Sequence, residues 1–321
     1  KPGPVAYGTG ELLTVTDANI FLGRLPHQTQ LAGNVPLHYD RVCQYIDQLA
    51  LGLKVSSQEA AQGIIDIVNA QMARAIRHVS VEQGKDPEKF ALFSFGGAGG
   101  LHACDLADLL HIPEVIIPRF PGALSAYGLT IANLKREYAI SYFRNLRADF
   151  MTEITEKFDE LENKGKQALQ QDGALPSTIK TLQYIDCRYV GQSYSLAVPF
   201  KGDIEKTAKA FHKQHKARFG HNRAEHQVEI TALSCTVEGQ RKESSIYETK
   251  MPSTPGEAKG ETTIRANGEA KLAPIFHRED ICLGQRIDGP SIIIQSDATT
   301  YVPEVWYGVA DCDGNIVISR I

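Results

Sequence analysis

Five small residues in a row, Gly96-Gly97-Ala98-Gly99-Gly100, followed by Leu101 and His102, form the part of this sequence best suited to hold a ligand. They come after the apolar run Phe90–Phe95 and before an amphipathic stretch, Leu101–Leu110, and so read as a turn from a buried strand into a helix. Glycine lets the backbone approach a ligand closely, and the first N–H groups of the helix lack intrahelical partners at the positive end of its dipole. An anionic or polar group suits that position. The spacing is neither GxGxxG with a distal acid nor GxxxxGK[ST], which excludes a Rossmann or P-loop site. A purely structural turn has the same composition. His102 falls in the first helical turn, where the dipole disfavours an imidazolium and a neutral ring can donate to a ligand. Its alternative role is a partly buried side chain capping its own helix.

Other reactive side chains are less well placed. Asp17 and Asn19 follow Thr14 closely and either orient a substrate or favour a helix start. Cys104 has no base or cation signature near it and reads as packing. His212, His215, His221 and His226 cluster, with His212 and His215 on one helix face, but HExxH is absent and no acid sits at a supporting spacing. They read as a solvated face ending at Gly220, and no metal is expected. The six cysteines lie far apart without a CxxC pair and read as reduced thiols.

These side chains need elements to position them. Thr14 caps a short helix ending near Gly23, Tyr39–Leu51 forms a second, and Ser56 with Glu59 opens a long third helix that finishes by Gly84. Glu114–Pro118 is a strand and Ala123–Leu134 a helix, so residues 1–135 have the strand-helix-strand grammar of a parallel α/β sheet. Beyond a boundary near 135, charged side chains become denser and the elements mix. Helices are expected over 149–171 and 204–218, with strands over 182–190, 194–199, 228–237, 291–294, 300–302 and 316–318. Residues 136–321 thus read as a strand-rich α+β domain, with 239–271, rich in Glu, Lys, Gly and Pro, as an exposed loop or linker. A net charge of −4 excludes a basic nucleic-acid or membrane surface as the main partner, and no apolar run approaches the length of a membrane span. The chain reads as cytoplasmic. It starts without Met, at Lys1-Pro2-Gly3-Pro4, as a fragment would.

Taken in order, the motifs resemble the hydantoinase A/5-oxoprolinase family. The matching strings are Gly3–Gly10, Thr14-Val-Thr-Asp17-Ala-Asn19, Leu22-Gly-Arg24-Leu25, Asn69–Arg77, Phe95–Ala103 and Pro121–Gly128. They continue with Arg188–Tyr194, Phe211–His221, and Gly289-Pro290 with Asp297–Pro303. The resemblance is weakest over 239–271. It implies an α/β chain comprising the second half of an actin-like, ribonuclease-H-like ATPase domain, followed by the α+β C-terminal domain. Gly96, Gly97, Ala98 and Gly99 would then form the adenosine-side loop for ATP, with Mg2+ on the phosphates. Gly100 stands where the family has proline, which implies a looser turn.

The implied chemistry is ATP-dependent opening of a cyclic amide such as a hydantoin or 5-oxoproline. Phosphorylating the amide oxygen makes it a leaving group, and a B-type subunit completes hydrolysis. The family's phosphate loops and catalytic acid lie upstream of the segment at which this chain begins. The expectation is therefore a C-terminal portion whose partner is the missing N-terminal half, inactive alone, with Asp17 and His102 its own catalytic candidates. Arg188, Gln192 and Tyr194 would meet substrate or an interface, or else form a turn held by its own hydrogen bonds. Two other roles remain open: a subunit of an ATP-dependent ketone carboxylase, for acetone or acetophenone, and a non-catalytic assembly module.

Overall fold

The structure, a computed structural model, describes residues 3–27, 36–241, 251–266 and 268–321. Capping chemistry starts the first helices where the sequence places it. In α1 (Val15–Phe21) the Thr14 hydroxyl accepts from Asp17 N–H while the Asp17 carboxylate takes Thr14 N–H. α2 (Tyr39–Leu53) follows, and α3 (Ser57–Val79) repeats the reciprocal cap with Ser56 and Glu59. Ala61, Ile65, Asn69 and Ala73 recur every four residues along the buried stripe of α3. One of them, Asn69, is polar.

β1 (Ala91–Phe93), the glycine turn, α4 (Ala103–Leu110) and β2 (Glu114–Ile117) form the expected parallel unit, with Ala91 opposite Glu114 and Phe93 opposite Ile116. α5 (Leu124–Ile131) is shorter than expected, because Leu134 already opens a strand, β3 (Leu134–Asn145). α6 (Met151–Gln171), β4 (Lys180–Tyr189), β5 (Leu196–Pro199), α7 (Ile204–Phe219) and β6 (Val228–Gly239) come next. The chain continues with β7 (Glu261–Ala266), β8 (Glu269–His277), β9 (Arg286–Asp288), β10 (Ser291–Gln295), β11 (Ala298–Val302), β12 (Trp306–Ala310) and β13 (Ile316–Arg320). No helix among the described residues is long and apolar enough to cross a membrane.

Two compact units divide within α5: the described residues of Lys1–Tyr127 with those of Glu248–Ile321, and those of Gly128–Tyr247. The first unit holds a mixed sheet in the order β1-β2-β13-β12-β9 and a second in the order β11-β10-β8-β7. Contact therefore groups the chain differently from a single division near 135, because the last strands return to the first unit. β13 runs antiparallel to β2, with Val317 opposite Ile116 and Ile318 opposite Val115. Val115, Ile117, Leu106, Trp306 and Ile318 share one core, so the last strands are inseparable from the first residues. A second core joins Ile20, Ile46 and Ile65 to Ile292.

Two further expectations change. Of the stretch 239–271, residues 242–250 and 267 lie outside the described residues, but β7 and β8 pair as an antiparallel hairpin with Glu261 opposite Pro274. Thr262 and Ile264 face inward there while Glu261 is exposed, a period of two hidden within a polar composition. The run Phe90–Phe95 is not a buried strand either. β1 sits at the edge of its sheet, and Phe90, Phe93 and Phe95 are exposed.

The second unit is an antiparallel sheet, β3-β6-β4-β5, whose core holds Phe158 of α6, Phe211 of α7, Ile185 and Leu233. Gly165 brings α6 down onto this sheet. A Cβ there would overlap Val237 Cγ2 and lie 3.2 Å from the Tyr138 ring. Helix propensity alone would make Gly165→Ala gain about 1 kcal/mol, whereas overpacking a buried contact costs about 1–3 kcal/mol. Val237 is fully buried and β-branched, so it has little room to turn aside. Chemical denaturation should show Gly165→Ala destabilising this unit; a net stabilisation would mean that α6 can lift off the sheet.

Candidate functional site

The glycine turn begins where Ser94 N–H donates to Ile116 O at 2.9 Å. Gly96 has φ +96°, a conformation that favours glycine, and its N–H donates to Pro121 O at 2.6 Å. Gly97 O accepts from Thr299 N–H at 3.1 Å. A Cβ on Gly97 would lie 2.9 Å from Asp297 O, and one on Gly100 2.5 Å from Thr300 Oγ1 and 2.9 Å from Thr299 O. These glycines let the turn pack on Asp297, between β10 and β11, and on the start of β11. Gly100 is buried in that contact, so the turn is tight where the missing proline implied looseness. Gly97 and Ala98 are exposed, which leaves their backbone accessible to a ligand.

At Asp297, on which Gly97 packs, opens a cavity of about 590 Å³ lined by Arg119, Phe120, Ala123, Arg278, Gln295 and Asp297 among others, though by none of Gly96–Gly100. Arg278 is held rigidly, its Nη2 donating to Ile117 O, Pro118 O and Gly314 O at 3.2, 3.3 and 2.7 Å. Its Nη1 is buried with no acceptor among the described residues. Burial brings the guanidinium down to a pKa of about 10, so it remains a cation at neutral pH. Sequence patterning did not single out Arg278, because its role comes from burial on a chain segment distant from the turn.

His102 belongs to a different network in the same unit. A short 3-10 turn, Gly99–Leu101, precedes α4, so His102 is the residue before the helix, and its side chain makes no capping bond. Its Nδ1 lies 2.8 Å from Asn69 Oδ1, which can only accept, so that nitrogen carries the proton. Nε2 faces Asn19 Nδ2 at 3.4 Å. Asn69 Nδ2 donates to Asp105 Oδ2 at 3.1 Å, and Arg24 Nη1 meets the same oxygen at 2.6 Å. Arg24, Asn69 and Asp105 line a second cavity of about 520 Å³ with Gln62, Asp66 and Tyr301. Asn69 could have been found in the sequence as the polar position on the buried stripe of α3.

Burial pushes the His102 pKa down; Asp105 opposes this and Arg24 adds to it. As pH falls below the ordinary value, about 6.5, the unfolded chain takes up the proton before the folded one. The contribution of His102 is therefore complete above that value and is lost as pH drops toward the folded pKa. Melting curves taken from about pH 7.5 to about pH 5 should show the first unit weakening with acid, less steeply in His102→Asn. Identical slopes in the two proteins would remove His102 from this account.

Asp17 is engaged by the backbone around it. Its Oδ1 accepts from Ala6 N–H at 2.8 Å, and its Oδ2 accepts from Val5 N–H at 3.1 Å and from Thr14 N–H and Oγ1 at 2.8 Å each. The residue is fully buried, and this carboxylate anchors the start of the chain to α1. Cys104 is buried too; burial raises its thiol well above the ordinary range, and Asp105 and Asp108 add to the shift. It packs, and all six cysteines are free.

In the second unit, Arg188 Nε is paired with Glu229 Oε1 at 2.8 Å. Gln192 Oε1 accepts from Tyr189 N–H at 3.2 Å, and its Nε2 donates to His215 Nε2 at 3.1 Å. The turn between β4 and β5 is thus held by a hydrogen bond of its own and by one to His215 of α7, while Tyr194 is 79% exposed. His215 is buried, not part of a solvated face: its Nδ1–H donates to His221 O at 2.8 Å, and its ring meets Tyr189 and Phe211 edge-on. The Tyr189 hydroxyl bonds to His212 Nδ1 at 2.7 Å and accepts from Arg223 N–H at 2.8 Å. Among the described residues, no group of three or more His, Cys, Asp or Glu side chains is arranged to hold a metal ion.

Comparison with known proteins adds a further finding. Residues 1–138 match the family model described as hydantoinase/oxoprolinase, and residues 144–311 match the hydantoinase/oxoprolinase C-terminal domain. Caprolactamase subunit alpha of Pseudomonas jessenii is 30% identical over 95% of this chain and 46% of its own length. The crystal structure of the ATP-dependent caprolactamase from that organism superposes with a TM-score of 0.68 at 28% identity, over 99% of this chain and 48% of the other. A 5-oxoprolinase of Pestalotiopsis fici is 30% identical over 94% of this chain and 25% of its own length. The nucleotide-free structure of acetone carboxylase gives a TM-score of 0.77 at 21% identity, covering 96% of this chain and 46% of the other, a likeness of fold. The chain spans less than half the length of these relatives.

Proposed function

The chain belongs to the hydantoinase/oxoprolinase family, and from that premise we propose that it serves as the nucleotide-holding part of an ATP-dependent cyclic-amide hydrolase. The observation that carries the proposal is the glycine turn packed on Asp297, which also lines the cavity of Arg278. Gly96, Gly97, Ala98 and Gly99 offer a backbone partly open to solvent, and the cavity wall supplies a buried guanidinium N–H without an acceptor among the described residues. A phosphorylated or carboxylated ligand takes up such a donor. These residues fit a nucleotide. ATP, when bound, supplies a phosphoryl group that makes the amide oxygen a leaving group and couples ring opening to phosphate release.

On this proposal the first unit is half of an actin-like, ribonuclease-H-like ATPase domain, with β1, the glycine turn, α4 and β2 as its nucleotide-side element. Mg2+ enters with the nucleotide. His102 and Asp17 then act as positioning groups: His102 braces α4 against α3 through Asn69, and Asp17 fixes the approach to α1. Tyr194, the exposed member of its turn, is the candidate for contact with a substrate or partner. The substrate class is a small cyclic amide, namely a lactam, a hydantoin or 5-oxoproline. A B-type subunit and the portion of the family chain not spanned here are the proposed partners, and the cytoplasm the proposed compartment. That a relative is named as subunit alpha supports the multi-subunit part of this reading.

The test uses the whole protein that contains this chain, together with its B-type partner. ATP-dependent loss of caprolactam, hydantoin or 5-oxoproline is the expected result. Turnover confined to acetone or acetophenone with bicarbonate would transfer the chain to ketone carboxylation, and no ATP turnover with any substrate would make it an assembly module.

A further inference from the structure

The cavity of about 520 Å³ takes no part in the proposed nucleotide site, lies wholly within the first unit and has acidic walls. Asp66, Asp105, Asp108, Glu269 and Glu304 line it, against the cations Arg24 and Lys271. Arg24 is paired with Asp105 at 2.6 Å, and Lys271 with Glu304 and Glu269 at 2.8 and 3.2 Å. Arg320, from outside the lining, takes Asp108 Oδ1 at 2.8 Å. Acids therefore remain in excess. Asp66 meets no cation, only Gln62 Nε2 at 2.7 Å, and Asp105 accepts through Oδ2, which leaves its Oδ1 without a donor among the described residues. Tyr301 points independently to a ligand. It is only 6% exposed and lines the cavity, yet its hydroxyl makes no hydrogen bond among the described residues, where a buried hydroxyl normally has a partner. Burial raises this phenol to about 12; Arg24 opposes the shift, and Asp105, Cys104 and Glu304 add to it. The hydroxyl is thus neutral and stands within electrostatic reach of two of the lining carboxylates.

We propose that this cavity binds a primary alkylammonium ion, its three N–H donors shared among the Tyr301 hydroxyl and the carboxylates of Asp66 and Asp105, and its alkyl chain lying along Leu109 and Val305. The polar groups are neighbours: Gln62 joins Asp66 to Arg24 Nη2, and the Arg24 guanidinium lies 4.9 Å from the centre of the Tyr301 ring. An ammonium has three donors and no acceptor, which matches three acceptors that lack enough donors of their own. A divalent metal is a poorer occupant, because no three of these acids are arranged to hold one, and an anion would meet the acid excess. The volume accommodates a short chain with room to spare. Opening a lactam or 5-oxoproline frees the ring nitrogen as such an ammonium, whereas opening a hydantoin leaves a ureido group. The ring-opened amino acid is therefore one source of the ligand and a simple alkylamine the other. Only the first source rests on the proposed activity.

The experiment is calorimetric titration of the whole protein that contains this chain, without ATP. The probes are n-pentylamine hydrochloride, the linear amino acid made by opening caprolactam, and hexanoate as a chain without nitrogen. Pentylammonium should bind with a Kd of about 1 mM or tighter, and hexanoate should not bind. Tyr301→Phe removes no hydrogen bond within the described residues, so it should weaken pentylammonium about tenfold while the melting temperature stays unchanged. Asp66→Asn, at an exposed position where an oxygen remains for Gln62, should weaken it about threefold. Absence of binding, affinity unaltered by both substitutions, or hexanoate binding as well as the amine would overturn the proposal. An amino acid that binds at least as tightly as pentylammonium upholds the site and assigns it to the ring-opened product; weaker binding upholds it for an alkylamine. A protein that binds the amine but opens no cyclic amide keeps this site and loses the proposed function, so the two fail separately.

Discussion

Asp17→Ala should destabilise the first unit by roughly 4 kcal/mol, the largest stability loss expected from any one side chain around the candidate site. The carboxylate takes four hydrogen bonds, three of them from the backbone N–H groups of Val5, Ala6 and Thr14. Val5 and Ala6 are fully buried, so water cannot replace the lost acceptor. Each buried donor left unsatisfied costs about 1–3 kcal/mol, and the lost cap on α1 adds about 1 kcal/mol. Asp17→Asn should lose less, because one oxygen remains while the new NH2 faces donors. Denaturant unfolding followed through a probe in the first unit checks this. A loss below about 1 kcal/mol for the alanine variant would mean that Asp17 is not the anchor described, and would reopen a catalytic role.

Gly97→Val in the whole protein should weaken ATP binding at least about tenfold, measured calorimetrically. Two effects act together. The side chain would crowd the exposed backbone at which nucleotide binding is proposed, and its Cβ would come within 2.9 Å of Asp297 O, forcing the turn away from the segment after β10. A melting curve distinguishes these effects from general unfolding, because the core around Trp306 and Ile318 does not include Gly97. Unchanged affinity in a folded variant would show that the adenosine loop lies elsewhere.

What the sequence disclosed about this protein was mostly local. Thr14 with Asp17 and Ser56 with Glu59 announce two helix starts because each reciprocal cap spans three residues. The glycine turn was visible because small residues between an apolar run and an amphipathic run have few other uses. β3, β7, β8, β9 and β12 are not legible, being short or set in polar composition. The grouping of the last strands with the first residues was hidden because it depends on β13 meeting β2 across some 200 positions. The site shows the same division: His102 was legible as a residue, but its bonds to Asn69 and Asn19 bridge 33 and 83 positions. Arg278 needed the cavity before it had any meaning.

On the proposed function ATP is spent on the oxygen of a cyclic amide, and isotope transfer tests this most directly. The whole protein with its partner is supplied with ATP and a lactam or 5-oxoproline carrying 18O in the ring carbonyl, and the released phosphate is weighed. Phosphorylation of that oxygen predicts one 18O in each phosphate formed as the ring opens. Ring opening with phosphate free of substrate 18O would contradict it.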